Sequence, residues 1–322
     1  MRGVTDKRAM AKPLDTSSGD ILADRRADYA EMLFGSGEAK AAAELLLGAL
    51  ELAPGWAFGW FRLGEFHEAA GDVDAAAEAW RMAQKLDPAD RAGAALKLAL
   101  AGRGDPGDAP PSAFVEALFD QYAPKFDEAL VNALGYRAPI LLEAAIRGTG
   151  RDRFRQALDL GCGTGLMGER LRQMCERLEG VDISSEMLRK AREKGIYDRL
   201  DKADLQNFSH EGPPPDLVTA ADVFMYLGAL DGIFATVSRM LAPDGLFAFS
   251  VEKLEAAEGF ALQPSRRYAH SEAYVRLTLS ASGLALVSVR MERIRDDRKE
   301  PVGGLIVVAE RQAQGQSGRR LS

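Results

Sequence analysis

The segment Asp159-Leu-Gly161-Cys-Gly163-Thr-Gly165 constrains this chain more than any other. It lies between a short apolar run that ends at Leu160 and an amphipathic stretch that begins at Leu166, so it reads as a turn from strand to helix. Glycines at three alternate positions suit such a turn for two reasons. The chain needs backbone angles that other residues resist, and a ligand can approach bare backbone. Asp159 adds a chemical restriction. A carboxylate two positions before the first glycine can hold a cationic amino group, directly or through water, but is unfavourable beside a pyrophosphate.

The surrounding pattern alternates short apolar runs with helical stretches. It predicts strands at 157–160, 178–183, 200–203, 216–224 and 245–251, with helices at 166–175, 185–194, 229–241 and 271–282. Cys175 is expected in the core of the first of these helices, and Ser184 as the N-cap of the second. Two last strands, 284–294 and 304–309, are joined by the polar stretch 295–302 and form an antiparallel edge hairpin. The sum is an α/β Rossmann-like fold, a mostly parallel seven-stranded sheet with an antiparallel last strand. Asp182 ends the second strand, where a carboxylate can accept both ribose hydroxyls of an adenosine. Asp204 follows the third strand, within reach of an adenine amino group.

Residues 113–311 resemble the class I S-adenosylmethionine (SAM)-dependent methyltransferases. The resemblance is carried by the glycine turn, Gly180-Val-Asp182-Ile183-Ser184-Ser-Glu-Met187, Ala203-Asp204-Leu205 and Leu241-Ala-Pro-Asp244-Gly245-Leu. The last segment usually reads Pro-Gly-Gly, from which Asp244 departs while remaining compatible with a turn. The resemblance implies SAM as cofactor, bound by Asp159, Gly161, Cys162, Gly163, Thr164 and Gly165. It places Asp182 and Ile183 at the ribose, and Met187, Asp204 and Leu205 at the adenine. Ala221 and Asp222 fall at the SAM edge. Phe119-Asp-Gln-Tyr122-Ala-Pro-Lys-Phe126-Asp127 is similar to the opening helix that covers SAM in methyltransferases of quinones and other small molecules, which puts Tyr122 over the cofactor. Cys162 is read as a small, close-packing residue rather than a nucleophile.

Gly163-Thr-Gly165-Leu-Met-Gly168 also satisfies the dinucleotide pattern of dehydrogenases, but that frame is offset from the strand end. On the acceptor side, His270 is the candidate general base, because histidine titrates near neutral pH; capping a helix or a surface role is the alternative. Arg266 and Arg267 suit an anionic substrate or plain solvation. The Asn/Asp-Pro-Pro-Tyr/Phe motif of amine methylation is absent.

Residues 21–101 are rich in Ala, Leu and Glu, with helical periodicity. In a frame that starts at Ala57, Trp60, Leu63, Gly64, Ala76, Trp80, Ala83 and Pro88 resemble a tetratricopeptide repeat, a helix pair with a period of about 34 residues. His67 departs where an aromatic is usual. A weaker copy in the same register starts at Ala23, with Ala42, Ala49 and Pro54 in place and Gly37 aligned with Gly71. Residues 90–101 look like a capping helix, and Trp60 and Trp80 read as packing residues. Residues 1–20 are expected to be a disordered leader, 102–112 a linker and 312–322 a disordered tail.

Across 322 residues the net charge of -7 argues against a nucleic-acid footprint. Two cysteines suggest reduced thiols and a cytoplasmic protein, with no metal-ligand cluster. No apolar run is long enough to span a membrane. The expected function is methyl transfer to a small-molecule acceptor by in-line displacement, with the repeats docking a protein partner. A protein methyltransferase whose repeat groove holds the target, and a non-catalytic assembly factor, are the competing readings.

Overall fold

The computed structural model describes residues 16–127, 135–256, 258–297 and 300–312. Most of the expected leader and nearly all of the expected tail lie outside them. The chain divides into two compact units, the first ending at Asp105 and the second beginning at Pro106.

The first unit is all-helical: α1 (Ile21–Gly35), α2 (Ala39–Leu52), α3 (Ala57–Ala69), α4 (Val73–Leu86) and α5 (Ala94–Leu100). Asp20 and Asp72 cap α1 and α4 by accepting backbone N–H groups of the first turn. Gly37 and Gly71 turn the chain between paired helices at φ +89° and +83°, a region that a side chain resists. Alanines set the close approach of α1 and α2, with Ala23, Ala30, Ala42 and Ala49 fully buried. At Gly64 a Cβ would fall 2.3 Å from Trp80 Nε1, so the indole of α4 needs the bare backbone of α3. Trp80 is fully buried, whereas Trp60 is partly exposed and donates its Nε1–H to Pro54 O at 2.9 Å. His67 is also partly exposed.

The second unit opens with α6 (Ser112–Tyr122) and α7 (Ala138–Arg147). Then follow β1 (Phe154–Leu160), α8 (Leu166–Leu171), β2 (Cys175–Asp182), α9 (Ser185–Lys194), β3 (Arg199–Lys202), β4 (Leu217–Ala220) and α10 (Asp231–Met240). The chain closes with β5 (Leu246–Lys253), β6 (Phe260–Leu262), β7 (Tyr268–His270), α11 (Glu272–Ala281), β8 (Leu284–Asp297) and β9 (Glu300–Arg311). The main frame of the sheet runs β3-β2-β1-β4-β5-β9-β8, with β9 antiparallel to both of its neighbours. Strand order reverses between β1 and β4, so the carboxyl ends of these two strands open a crevice.

Side chains alternate across the sheet with period two. Phe247, Phe249, Leu305 and Val307 enter one core with Phe234 of α10 and Leu279 of α11. Leu246, Ala248, Ile306 and Val308 enter the other with Ile146 of α7 and Leu171 of α8. Burial on both faces explains why these strands read as continuous apolar runs.

Three expectations need correction. Cys175 opens β2, paired with Phe154, because α8 stops at Leu171. The strand expected to reach residue 224 leaves the sheet after Ala220; Phe224 instead sits in an aromatic cluster with Phe234, Phe247 and Phe249. The final hairpin extends into the stretch expected to be a polar connection, so Arg295 lies on β8. The expected seven-stranded frame is present, and β6 and β7 add to it a small hairpin whose β7 pairs with the end of β5. Three-residue strands are too short to leave a periodic signal. The later part of the expected linker is fastened to the second unit: Asp108 O accepts Gly228 N–H and Ala229 N–H, and Pro106 O accepts the Tyr268 hydroxyl.

Candidate active site

The glycine turn leaves β1 with Gly161, Gly163 and Gly165 at φ +62°, +54° and +94°. A Cβ on Gly161 would sit 2.4 Å from Val223 Cγ2, so the turn and the chain leaving β4 touch through bare backbone. Asp182, at the end of β2, fixes the turn from the side. Its Oδ2 accepts Gly163 N–H and its Oδ1 accepts Ser184 N–H, both at 2.8 Å. Ser184 caps α9 by accepting Met187 N–H at 3.1 Å, as expected from its place before the helix. Burial pushes the Asp182 carboxyl up to about 6.

Beneath the turn, Tyr197 fills the hollow left by three residues without side chains. A Cβ would approach its ring or hydroxyl to 3.1 Å at Gly165, 2.2 Å at Gly168 and 2.8 Å at Gly180. Its hydroxyl donates to Asp159 Oδ2, and the Thr219 hydroxyl donates to Oδ1, each at 2.8 Å. Burial raises Asp159 to about 7.

A cavity of about 600 Å³ covers the crevice. One end is walled by Gly161, Cys162, Gly163, Thr164, Asp182 and Ile183, with Asp204 and Leu205 beyond. Helix α6 closes over this end. Ser112 donates to Asp204 Oδ2 at 2.6 Å, and Ser184 donates to Asp120 Oδ1 at 2.5 Å. Phe119 and Tyr122 face the cavity from the same helix, Tyr122 at its exposed rim. The Thr164 hydroxyl bonds to Asp127, which also pairs with Lys194 at 3.0 Å.

The other end is walled by Ala221, Asp222, Met225 and Tyr226 after β4, by Arg266 and Arg267 between β6 and β7, and by Arg295 and Asp297 of β8. Asp222 adopts φ +59°, a left-handed conformation that costs a non-glycine residue about 1–3 kcal/mol. It is held there by its N–H to Ser250 Oγ at 2.8 Å and by Arg295 Nη1, which lies 2.7 Å from both carboxylate oxygens. Arg295 is 2% exposed and also bonds to Glu252. Burial opposes its charge, but Asp222 and Glu252 hold the guanidinium above its usual range.

Eleven of the residues assigned to the cofactor thus line one cavity: Tyr122, Gly161, Cys162, Gly163, Thr164, Asp182, Ile183, Asp204, Leu205, Ala221 and Asp222. Asp159, Gly165, Met187 and His270 do not. Asp159 is 1% exposed and turned into the protein, with both oxygens bonded, so it supports the turn from behind. Gly165 sits at the start of α8, and Met187 is fully buried under α9. His270 is corrected from general base to packing residue. It is fully buried with Nε2 2.9 Å from Gly228 O, stacks on Tyr274, and is pushed down to about 4 by burial. Burial also raises the Cys162 thiol, consistent with a packing role. Sequence reasoning missed Tyr197, Tyr136 and Arg295, which reach the site from loops and from the far end of a long strand.

Residues 157–245 match the family model described as a methyltransferase domain. Among curated proteins, the chain is 37% identical over 99 residues to malonyl-[acyl-carrier protein] O-methyltransferase of Geobacter sulfurreducens, covering 29% of this chain and 37% of that protein. It is 28% identical over 143 residues to the putative methyltransferase YqeM of Bacillus subtilis, covering 42% and 55%. The matches therefore span from about a third to about half of those relatives' lengths. Among solved structures, a DhpI–SAH complex aligns with 62% of this chain and 95% of its own at 21% identity and a TM-score of 0.48. The glycine turn, the strand order and the family match agree: the chain carries a class I SAM-dependent methyltransferase domain behind an all-helical N-terminal region.

Proposed function

We propose that this chain binds SAM at the carboxylate end of the cavity and transfers its methyl group to a small molecule held at the other end. One observation carries this reading. The glycine turn and Asp182 meet at the crevice between β1 and β4, in a cavity that continues past them to a second, differently charged wall.

The residues fit the cofactor. Each Asp182 oxygen accepts one backbone N–H and keeps a lone pair for a ribose hydroxyl. Gly163 meets only the tip of Phe126, 3.8 Å from a built Cβ, so its backbone is open to a ligand. Asp204 is oriented by Ser112 and Gln206 N–H and can accept from an adenine amino group. Bound SAM supplies a methyl group already activated on a sulfonium. The chain aligns the partners and excludes water through α6 and the loop after β4, effects that together remove roughly 7–11 kcal/mol from such barriers. The relative from Geobacter is named for an acyl-carrier-bound acceptor, and a small-molecule acceptor here is in keeping with it.

The helices of the first unit are read as tetratricopeptide repeats that dock a protein partner. The pairing of Gly64 with Trp80 and the matched turns at Gly37 and Gly71 support this.

Calorimetry with SAM and NADH tests the cofactor, with Asp182→Ala as the control. The expected result is micromolar SAM binding that the substitution removes, and no NADH binding. A folded protein that binds no SAM overturns the reading. Incubating the full chain with labelled SAM and a cell extract tests the acceptor: label in the low-molecular-weight fraction supports it, and label confined to polypeptide favours a protein target.

A further inference from the structure

We propose that Ser112 is a positioning residue that makes the cofactor site choose adenine over other purines, and that the segment 106–112 sets its place from the acceptor side of the cavity. This rests on the SAM reading above and deepens it.

The first argument is the orientation of Asp204. Both of its oxygens accept a hydrogen bond, Oδ1 from Gln206 N–H at 2.9 Å and Oδ2 from the Ser112 hydroxyl at 2.6 Å. The two donors come from different elements, the turn after β3 and the start of α6, and together they fix the plane of the carboxylate. An ionised carboxylate has only lone pairs to offer. It therefore receives the 6-amino group of adenine and repels the 6-oxygen of hypoxanthine. Hypoxanthine also carries a proton on the neighbouring ring nitrogen, which a carboxylate free to turn would accept. Ser112 opposes that turn. Its hydroxyl thus supplies selectivity, because the wrong base meets an acceptor that cannot follow it.

The second argument is what holds Ser112. Pro110 and Pro111 precede it, and Pro111 at φ −55° and ψ 130° leads an extended chain into α6. Upstream, the segment is bonded to three parts of the second unit. Gln206 Nε2 donates to Pro110 O at 3.0 Å. Asp108 O accepts Gly228 N–H at 2.8 Å and Ala229 N–H at 2.9 Å. The Tyr268 hydroxyl lies 2.6 Å from Pro106 O and 3.2 Å from Gly107 O. Gly228 permits this approach, since a Cβ there would fall 3.0 Å from Asp108 O and 2.6 Å from the Phe260 ring. Its own carbonyl lies 2.9 Å from His270 Nε2. Met225 and Tyr226, on the same loop, wall the acceptor end. The segment therefore ties the loop after β4 to the carboxylate after β3. It gives Tyr268 and His270, both fully buried and away from the cofactor end, a part in placing Ser112.

The test uses the full chain and two probes that differ only in the base, S-adenosylhomocysteine and S-inosylhomocysteine. Calorimetry gives the ratio of their dissociation constants. The unchanged chain is expected to favour the adenine compound at least about thirtyfold, and Ser112→Ala to cut that ratio about tenfold. Ser112→Thr keeps the hydroxyl and is expected to hold the ratio within about twofold. Glu116→Gln removes another contact of α6, the ion pair with Lys202, without touching Asp204. It is expected to leave the ratio within about twofold even where both affinities fall. Tyr268→Phe is expected to lower the ratio about threefold. Equal binding of the two probes by the unchanged chain overturns the proposal. So does a Ser112→Ala protein whose ratio is unmoved or whose two affinities fall in proportion, the outcome for a merely structural serine. An unmoved ratio in folded Tyr268→Phe overturns the role of the segment 106–112. Binding of neither probe overturns the cofactor reading beneath.

Discussion

The two ends of the cavity are built in opposite ways. The cofactor end consists of backbone: a glycine turn, a strand-end carboxylate that accepts from that turn, and a helix capped two residues later. The acceptor end consists of side-chain charge, with Asp222, Glu252, Arg267, Arg295 and Asp297 drawn from the loop after β4, the end of β5, the β6–β7 hairpin and β8. Backbone geometry serves a ligand of constant shape. A lattice of paired side chains can be re-set by a few substitutions, which suits the half of a site that changes with the acceptor.

The strongest challenge to this contrast is Arg295→Met. It leaves Asp222 buried without its guanidinium partner and Glu252 with only Arg267, 3.9 Å away, and denaturant unfolding should show a loss of about 3–5 kcal/mol. A loss below about 1 kcal/mol would mean that the acceptor end is held by packing. Asp182→Ala should come next, lowering SAM affinity at least about a hundredfold by calorimetry, since two backbone N–H groups and the ribose lose a charged acceptor. Gly161→Ala should follow. Its Cβ overlaps Val223 at a left-handed backbone angle, and a cost of about 1–3 kcal/mol is expected in thermal unfolding. Retention of full stability would show the turn to be more pliant than the contrast requires.

The smallest effect is that of pH. Ribose hydroxyls favour ionised Asp182, whose carboxyl stands at about 6 in the free protein. SAM affinity should be full above about pH 7 and about tenfold weaker at pH 5, as a titration by calorimetry would report. Stability of the cofactor-free protein should move the other way. Asp159 and Asp182 bind protons more tightly folded than unfolded, so their contribution is greatest below about pH 4 and is lost as pH rises through 6 and 7. Unfolding midpoints measured across that window would check the sign.

The contrast also explains what the sequence made legible. Gly161 to Gly165, Asp182, Ser184 and Asp204 are local: each is tied to a strand end or a helix start within a few residues, and periodicity reveals those boundaries. The acceptor wall depends on long-range pairing. Arg295 meets Asp222 only because β8 continues past the expected end of the strand, and Arg267 reaches the cavity on a hairpin too short to register. His270 was singled out for its titration range, a property of the free side chain that burial removes. Asp159 is the intermediate case: its position was read correctly, but its direction was set by Tyr197 and Thr219, distant in sequence.

Tyr197 has a historical consequence. Its hydroxyl and ring occupy the volume that a side chain at Gly168 would need, so that glycine cannot acquire one while the tyrosine stays; Gly165 is held as well by its left-handed backbone, and Gly180 by Leu200 and Cys162. The reverse change is open, because a smaller residue at 197 merely empties the hollow. Substitution at 168 and 197 is therefore ordered in time: the aromatic must go first, and once an alanine has entered at 168 the way back to tyrosine is closed.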